Sequence, residues 1–335
     1  MSNGSIYVGV DLHKRQFSFV MVNESGQVVT RGTQEATMAG VASFAATLDR
    51  RHHLAVEPLD NVFWFIREVS AYAGSVHIAN PYKVRLIAES RMKSDGSDAQ
   101  ILADLLRVGY LPEVYIPSAE IIESRRVISH RIRLVRDRVR LKNRILTVIG
   151  REGCVVKASD PFGRNGRREI THVPVTAQAR EMVTMYLAGY DLLTSQIAQV
   201  DRQISELGAG DPIVQLLRSI DGVETFTALA IRSAVGEMKR FRSAKAFASY
   251  TGLVPGYRQS AESHHSSSIT KQGVTTIRWL LIQAVPHAVR QSDYLRRLYR
   301  RICFRASVGH AKVAVAHALA RIIYHVWLEA RPYYR

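Results

Sequence analysis

The stretch IYVGVDLHKRQFSFVMV, residues 6–22, holds two apolar runs and, at the end of the first, an acid, Asp11. Runs of this length, rich in β-branched and aromatic residues and bounded by polar breaks, read as β-strands. A strand that is apolar along its whole length is buried on both faces. A carboxylate closing such a strand is unfavourable unless a partner or a metal compensates it. Asp11 therefore calls for company from elsewhere in the chain.

Working outward, ESGQ is a turn and VVTRG a third strand. MAGVASFAATLDRR has helical periodicity, HLAVEPL is a strand, and NVFWFIREVSAYAG is a helix closed by Gly74. SVHIANP is a strand stopped by Pro81, and DAQILADLLRVGYL a last helix. Three meandering strands followed by helix, strand, helix, strand and helix form the order of an α/β, RNase H-like domain. In such a sheet the first and fourth strands are neighbours, which puts Asp11 and Glu57 at one edge. Asp95 and Asp98, in KSDGSDAQ, are three residues apart at a helix start, a spacing that shares one helix face. Taken singly, Asp95 is an N-cap, Asp98 a favourable first-turn acid, and Glu57 a partner for Arg67. Together, four converging carboxylates cannot all stay ionised without a cation. Oxygen-only ligands suit Mg²⁺ or Mn²⁺. Two such ions about 4 Å apart stabilise the attacking and leaving oxygens of a phosphoryl transfer.

The charge points the same way. The net charge is +17 over 335 residues. Residues 1–111 hold 11 basic and 11 acidic residues, whereas residues 112–335 hold 35 and 18. An electrically balanced module is thus followed by a cationic remainder that suits a polyanion. The two cysteines, Cys154 and Cys303, are too few for a metal set and fit reduced thiols of a cytosolic protein. The start of the chain lacks the order of a signal peptide, and the longest apolar run, AKVAVAHALARII, is broken by His317 and Arg321. A cytoplasmic protein without a membrane span is expected.

Beyond residue 118 the reading is helical. Ile128, Ile132, Val135, Val139, Leu146 and Ile149 follow 4,3 spacing with Lys142 in the seam, and residues 124–151 carry ten Arg or Lys against one acid, Asp137. After a loop, KASDPFGRNGRRE, a second helix to about 207 places Leu193, Ile197, Val200, Ile204 and Leu207 at the same spacing. The pair reads either as an antiparallel coiled-coil arm or as a helical hairpin on the body. IDGVETFTALA is similar to a helix-hairpin-helix turn with Glu224 in place of its second glycine, or is a plain helix connection. A polar loop is expected over 256–273, then helices to 329. The expected domains are 1–112, 113–208 and 209–335.

GVDLHK, VEPL, KSDGSDAQILADLL, SIDGVETFTALAI, FASYTGLVPGYRQS and SITKQGVTTIRWLLIQA together resemble the DEDD transposases of the insertion-sequence one-ten (IS110) family, recombinases guided by a bridge RNA. The resemblance covers nearly the whole chain. It implies a RuvC-like N-terminal domain, a coiled-coil linker arm and an α-helical C-terminal transposase domain with a nucleophilic serine. It maps the metal-binding tetrad to Asp11, Glu57, Asp95 and Asp98. By spacing alone Ser260, Ser263, Ser266, Ser267 and Ser268 are equivalent. The family's serine lies eight residues beyond the glycine of GL-x-P, which from Gly252 gives Ser260, with Ser267 as the alternative.

The function so implied is RNA-guided DNA cleavage and rejoining through a phosphoserine intermediate with a Mg²⁺-dependent DEDD site. The implied partners are donor and target DNA, a structured guide RNA and further copies of the chain, as a dimer or tetramer, in a bacterial cytoplasm. Arg125, Arg126, Arg131, Arg138 and Lys142 are the candidate nucleic-acid contacts of the arm. Lys271 and Arg278, flanking Gly273 at a helix start, are those of the last domain. Two other classes remain: an RNase H-like nuclease or Holliday-junction resolvase using water, and a non-catalytic RNA-binding protein whose acids are caps. Sugar-kinase and actin-like ATPases also open on a strand ending Gly-x-Asp, but the Gly-rich phosphate loop they need after a later strand is missing.

Overall fold

A computed structural model describes residues 4–59, 62–91, 98–260, 263–269 and 273–334. The chain divides into two compact units, residues 1–116 and 117–335.

The first unit is a six-stranded mixed sheet. Its elements run β1 (Ile6–Leu12), β2 (Gln16–Asn23), β3 (Val28–Glu35), α1 (Met38–Ala45), β4 (His52–Val56), α2 (Val62–Val69), β5 (Ser75–Ala79), α3 (Pro81–Arg91), α4 (Asp98–Arg107) and β6 (Glu113–Val114). The order across the sheet is β3-β2-β1-β4-β5-β6. β1 pairs antiparallel with β2 and parallel with β4, so the two strands that carry the acids are neighbours, as expected. Strand alternation sorts the side chains between two layers. Val8, Val10 and Leu12 face Val41 and Phe44 of α1 and Val62 and Phe65 of α2 in one core. The other face of the sheet meets Ala99, Leu102 and Ala103 of α4. α3 and β6 were not legible in the sequence. Pro81 was read as a strand stop, yet it stands as the first residue of a helix, where a missing N–H loses nothing.

The second unit is mostly helical: α5 (Ala119–Arg151), α6 (Arg164–His172), α7 (Ala177–Gly210), α8 (Pro212–Leu217), α9 (Thr225–Val235), α10 (Ala244–Tyr250), β7 (Pro255–Ser260), β8 (Ser263–Ile269), α11 (Thr275–Gln291), α12 (Asp293–Arg305) and α13 (Val308–Glu329). α5 and α7 lie side by side with opposite directions: Arg131 meets Asp201, and Lys142, further along α5, meets Tyr190, nearer the start of α7. One end of the pair has its own small core, Ile145, Ile149, Phe162, Ile170, Val183 and Leu187. At the other end Ile128, Leu134, Ile197, Val200 and Ile204 share a core with α8, α9, α11 and α13. The regular seam expected from 4,3 spacing does not run through. Val139 and Leu207 are exposed, and Leu134 and Ile145 are buried instead, because the α-helical period drifts against a seven-residue repeat.

Two further expectations are corrected. The loop read over 157–169 contains the start of α6. The polar loop read over 256–273 is largely an antiparallel hairpin, β7 with β8, in which Tyr257 pairs with Ser266 and Ser260 with Ser263. Its Ser- and His-rich sequence lacks the apolar alternation by which strands are recognised. In the IDG turn, Gly222 has φ +82°, and a Cβ there would lie 2.8 Å from the Ala288 nitrogen. Only glycine suits both the conformation and the close approach to α11.

Candidate active site

Three devices bring carboxylates to one end of the first unit's sheet. The first is strand parity: with Val8, Val10 and Leu12 in the α1/α2 core, Gly9 and Asp11 face the α4 layer. The second is pairing. Val10 stands opposite Val56, and the Glu57 backbone N–H donates to the Val10 carbonyl at 3.1 Å. Glu57 therefore leaves β4 beside Asp11. The third is a missing side chain. A Cβ on Gly9 would lie 1.7 Å from the Ala99 carbonyl oxygen and 2.7 Å from the Ala103 nitrogen. Glycine at position 9 and alanine at 99 and 103 let α4 pack backbone to backbone on β1. Asp98, the acid in the first turn of α4, is delivered with it.

The electrostatics record the convergence. Burial raises the Glu57 carboxyl above its ordinary value, the charges of Asp11 and Asp98 raise it further, and His13 opposes them. His13 Nε2 sits 3.1 Å from Asp11 Oδ2. Arg67, the alternative partner for Glu57, pairs with Glu68 at 3.1 Å. Asp95 lies outside the described residues. Among those described, no three His, Cys, Asp or Glu side chains form a ready metal cluster. The donor set of Asp11, Glu57 and Asp98 is nonetheless all oxygen, and its members repel one another. That is the chemistry a hard divalent cation relieves.

The sequence-predicted nucleic-acid residues divide. Arg125 donates from Nε to the Ser233 carbonyl at 2.7 Å and from Nη2 to the Ala234 carbonyl at 3.1 Å, tying α5 to the end of α9. Arg131 pairs with Asp201 at 2.5 Å and covers the Phe226 ring at 4.2 Å. Lys142 lies over the Phe162 ring at 4.9 Å. The Arg138 Nε is buried and without a hydrogen-bond acceptor. Arg125, Arg131 and Lys142 are thus engaged along the inner side of α5. Arg126 is exposed and pairs with Glu123 at 3.3 Å. Arg278 is in the first turn of α11, where Nη2 donates to Thr275 Oγ1 at 3.4 Å. Lys271 lies outside the described residues. Ser260 closes β7, and Ser267 belongs to β8.

Sequence reasoning missed His13 and the role of Gly9. An isolated glycine inside a strand is a signal of close backbone approach, so Gly9 was discoverable. Of the outward arginines of α5 it singled out only Arg126, because a count of charges does not tell one side of a helix from another.

Two family models match the chain. One, described as a transposase and built on DEDD proteins of IS110 elements, matches residues 8–151. The other, described as the transposase IS116/IS110/IS902 family, matches residues 214–300. Among curated proteins, the "Probable family 20 transposase" of Pseudomonas aeruginosa is 26% identical over 325 residues, covering 95% of each chain. The transposase for insertion sequence element IS1328 of Yersinia enterocolitica is 25% identical over 331 residues, covering 95% of this chain and 96% of its own. Among the described residues, no helix is long and apolar enough to cross a membrane.

Proposed function

We propose that this DNA transposase, which two family models of IS110 transposases match, cuts and rejoins DNA through a covalent serine–phosphate link, guided by a structured RNA. In this reading the first unit is a RuvC-like, RNase H-like catalytic domain, α5 and α7 form a coiled-coil linker arm, and the helices beyond it carry the nucleophile. Asp11, Glu57, Asp95 and Asp98 would hold Mg²⁺ or Mn²⁺. Such an ion, when bound, offsets the negative charge that develops on phosphate oxygens during transfer.

The residues of the chain then divide the work. Ser260 Oγ attacks a backbone phosphorus; the new P–O bond to serine forms as the bond to one strand's hydroxyl oxygen breaks. The serine proton ends on that departing hydroxyl. A hydroxyl from another strand reverses the step, regenerating serine and a phosphodiester, so bond energy is conserved and no ATP is consumed. A serine hydroxyl is protonated near neutral pH, so it requires activation close by. His13, held against Asp11, keeps that carboxylate oriented. Ser260 and the carboxylates belong to different compact units. The chemistry therefore requires one protomer to bring them together or two protomers of a dimer or tetramer to share a site.

The observation that carries the reading is geometric: β1, the end of β4 and the start of α4, packed backbone to backbone on Gly9, bring Asp11, Glu57 and Asp98 to one end of the sheet. The test incubates the protein with cognate RNA, labelled target DNA and Mg²⁺ and looks for a covalent protein–DNA adduct. An adduct that vanishes with Ser260→Ala and with EDTA supports the proposal. Cleavage that persists in Ser260→Ala without an adduct supports a water-using nuclease or resolvase instead. Mixing Ser260→Ala with Asp11→Ala protein tests sharing: recovered activity supports a site built from two protomers, and none counts against it.

A further inference from the structure

α5 turns two unlike sides to its surroundings. Its buried residues, Ile121, Ile128, Leu134, Ile145 and Ile149, lie on one side together with the engaged Arg125, Arg131 and Lys142. Opposite them run Arg126, Arg133, Arg136, Arg140, Arg144 and Arg151, all exposed. At about 100° per residue these six fall within an arc of about 80°. From Arg126 to Arg151 the row is about 38 Å long at ~1.5 Å per residue. Two acids border it. Glu123 pairs with Arg126 at 3.3 Å and Asp137 with Arg140 at 2.8 Å. Arg144 lies 6.0 Å from the Tyr186 ring. The other exposed residues between Arg126 and Arg151 are Ser129, His130, Val139, Asn143, Thr147 and Gly150.

We propose that this row is a rail for the phosphates of double-stranded DNA, which it follows for about one helical turn without reading bases. The proposal rests on DNA as the substrate and adds where and how the duplex is held. Its length matches the ~34–36 Å of one turn of B-form duplex. Arginine suits the task, since its planar fork donates two hydrogen bonds to one phosphate and never loses its charge. Single strands are held largely by stacking of bases on aromatic rings, and α5 contains no Phe, Tyr or Trp. A row of phosphate contacts positions a duplex and carries no sequence information.

The full-length protein is tested by fluorescence anisotropy with a duplex DNA, the matching single strand and an RNA duplex of equal length, at 50–200 mM salt. The variant is Arg133→Gln, Arg140→Gln and Arg144→Gln combined. Each lost phosphate contact lowers the slope of log K against log salt by about 0.9. We expect the duplex-DNA slope to fall by about 2.7 and affinity near 100 mM salt to fall roughly 10²-fold, equally for unrelated sequences. Replacing the same three by lysine should restore most of the slope, which separates lost charge from damaged folding. An unchanged slope overturns the proposal, and so does a loss confined to single strands or to the RNA duplex. The serine chemistry has its own readout, the covalent adduct. A wild-type protein that shows the slope effect but no adduct keeps the rail and loses that chemistry; an adduct with no slope effect does the reverse.

Discussion

The acids at the end of β1 and the arginines on the outer side of α5 are both concentrations of one sign of charge, and the fold treats them in opposite ways. At β1 a side chain is omitted at Gly9 so that α4 approaches closely, and burial, together with the charges of Asp11 and Asp98, makes Glu57 resist ionising. On α5 the arginines are spread along a straight helix in water, where their repulsion is screened. A polyanion meets the second arrangement one phosphate at a time. Only a small, highly charged ion answers the first. On the function proposed above, the difference is that between acids held together at an energetic cost for chemistry and a surface built only to bind.

The largest expected effect breaks this contrast at its centre. Asp11→Asn should lower strand cleavage by at least about 10³-fold, in the range of lost transition-state stabilisation by a group in direct contact with the reaction. Duplex-DNA affinity should stay within about twofold, because one neutralised acid adds little to a predominantly Coulombic interaction. A gel assay beside anisotropy reads both. Equal losses in cleavage and affinity would mean that the acids serve binding, and the contrast would collapse.

Next comes the close packing itself. Gly9→Ala places a methyl group inside the Ala99 carbonyl, a backbone atom that no rotamer change can move. We expect a loss of about 1–3 kcal/mol or more in urea unfolding of the first unit. The matched control is Arg133→Ala on the outer side of α5, which should stay within about 0.5 kcal/mol. A Gly9→Ala protein as stable and active as wild type would show that α4 does not depend on direct contact with β1.

The alternating strands and helices of the first unit, and the pairing of β1 with β4, were legible because apolar periodicity and turn residues agreed from Ile6 to Ala79. Asp11, Glu57 and Asp98 stood out as candidates because in the sequence they fall at the ends of apolar-periodic segments. What the sequence hid follows from what periodicity does not encode. β7 and β8 pair through their backbones with a polar sequence, so no alternation announces them. Arg125 and Arg131 looked like the outward arginines, since a guanidinium that caps carbonyls or covers Phe226 has the same letter as one in water. The drift that exposes Val139 and buries Leu134 arises from packing over nine turns of helix, which a seven-residue template does not track.

A smaller effect sharpens the comparison from the stability side. The folded pKa of Glu57 is raised, so its ionised form is disfavoured in the metal-free fold. That unfavourable contribution is full above the raised folded value and disappears as pH falls below the ordinary 4.5. Glu57→Gln should therefore raise the melting temperature in EDTA at pH 7 by about 1–3 °C, with the gain fading below pH 4.5. Added Mg²⁺ should then stabilise wild type and not the variant. A variant less stable than wild type in EDTA would mean that the acids are not in conflict.

The smallest effect comes from a charge pair that is neither crowded nor in a row. Arg167 on α6 holds the Asp191 carboxyl on α7 below its ordinary value through a two-pronged hydrogen bond. A lowered acid stabilises the fold above its unfolded pKa of 3.8, and that contribution is lost as pH falls through the lower folded value. Both side chains are partly in water, so solvent screening limits the pair to about 0.2–1 kcal/mol. Asp191→Asn should lower the melting temperature by only about one or two degrees at pH 7, with the difference shrinking as pH falls below 3.8. Cleavage and duplex affinity should not move. If this exposed pair carried as much stability as the Gly9 contact, exposure to solvent would not be what distinguishes the mild treatment of charge on the helices from the severe treatment at β1.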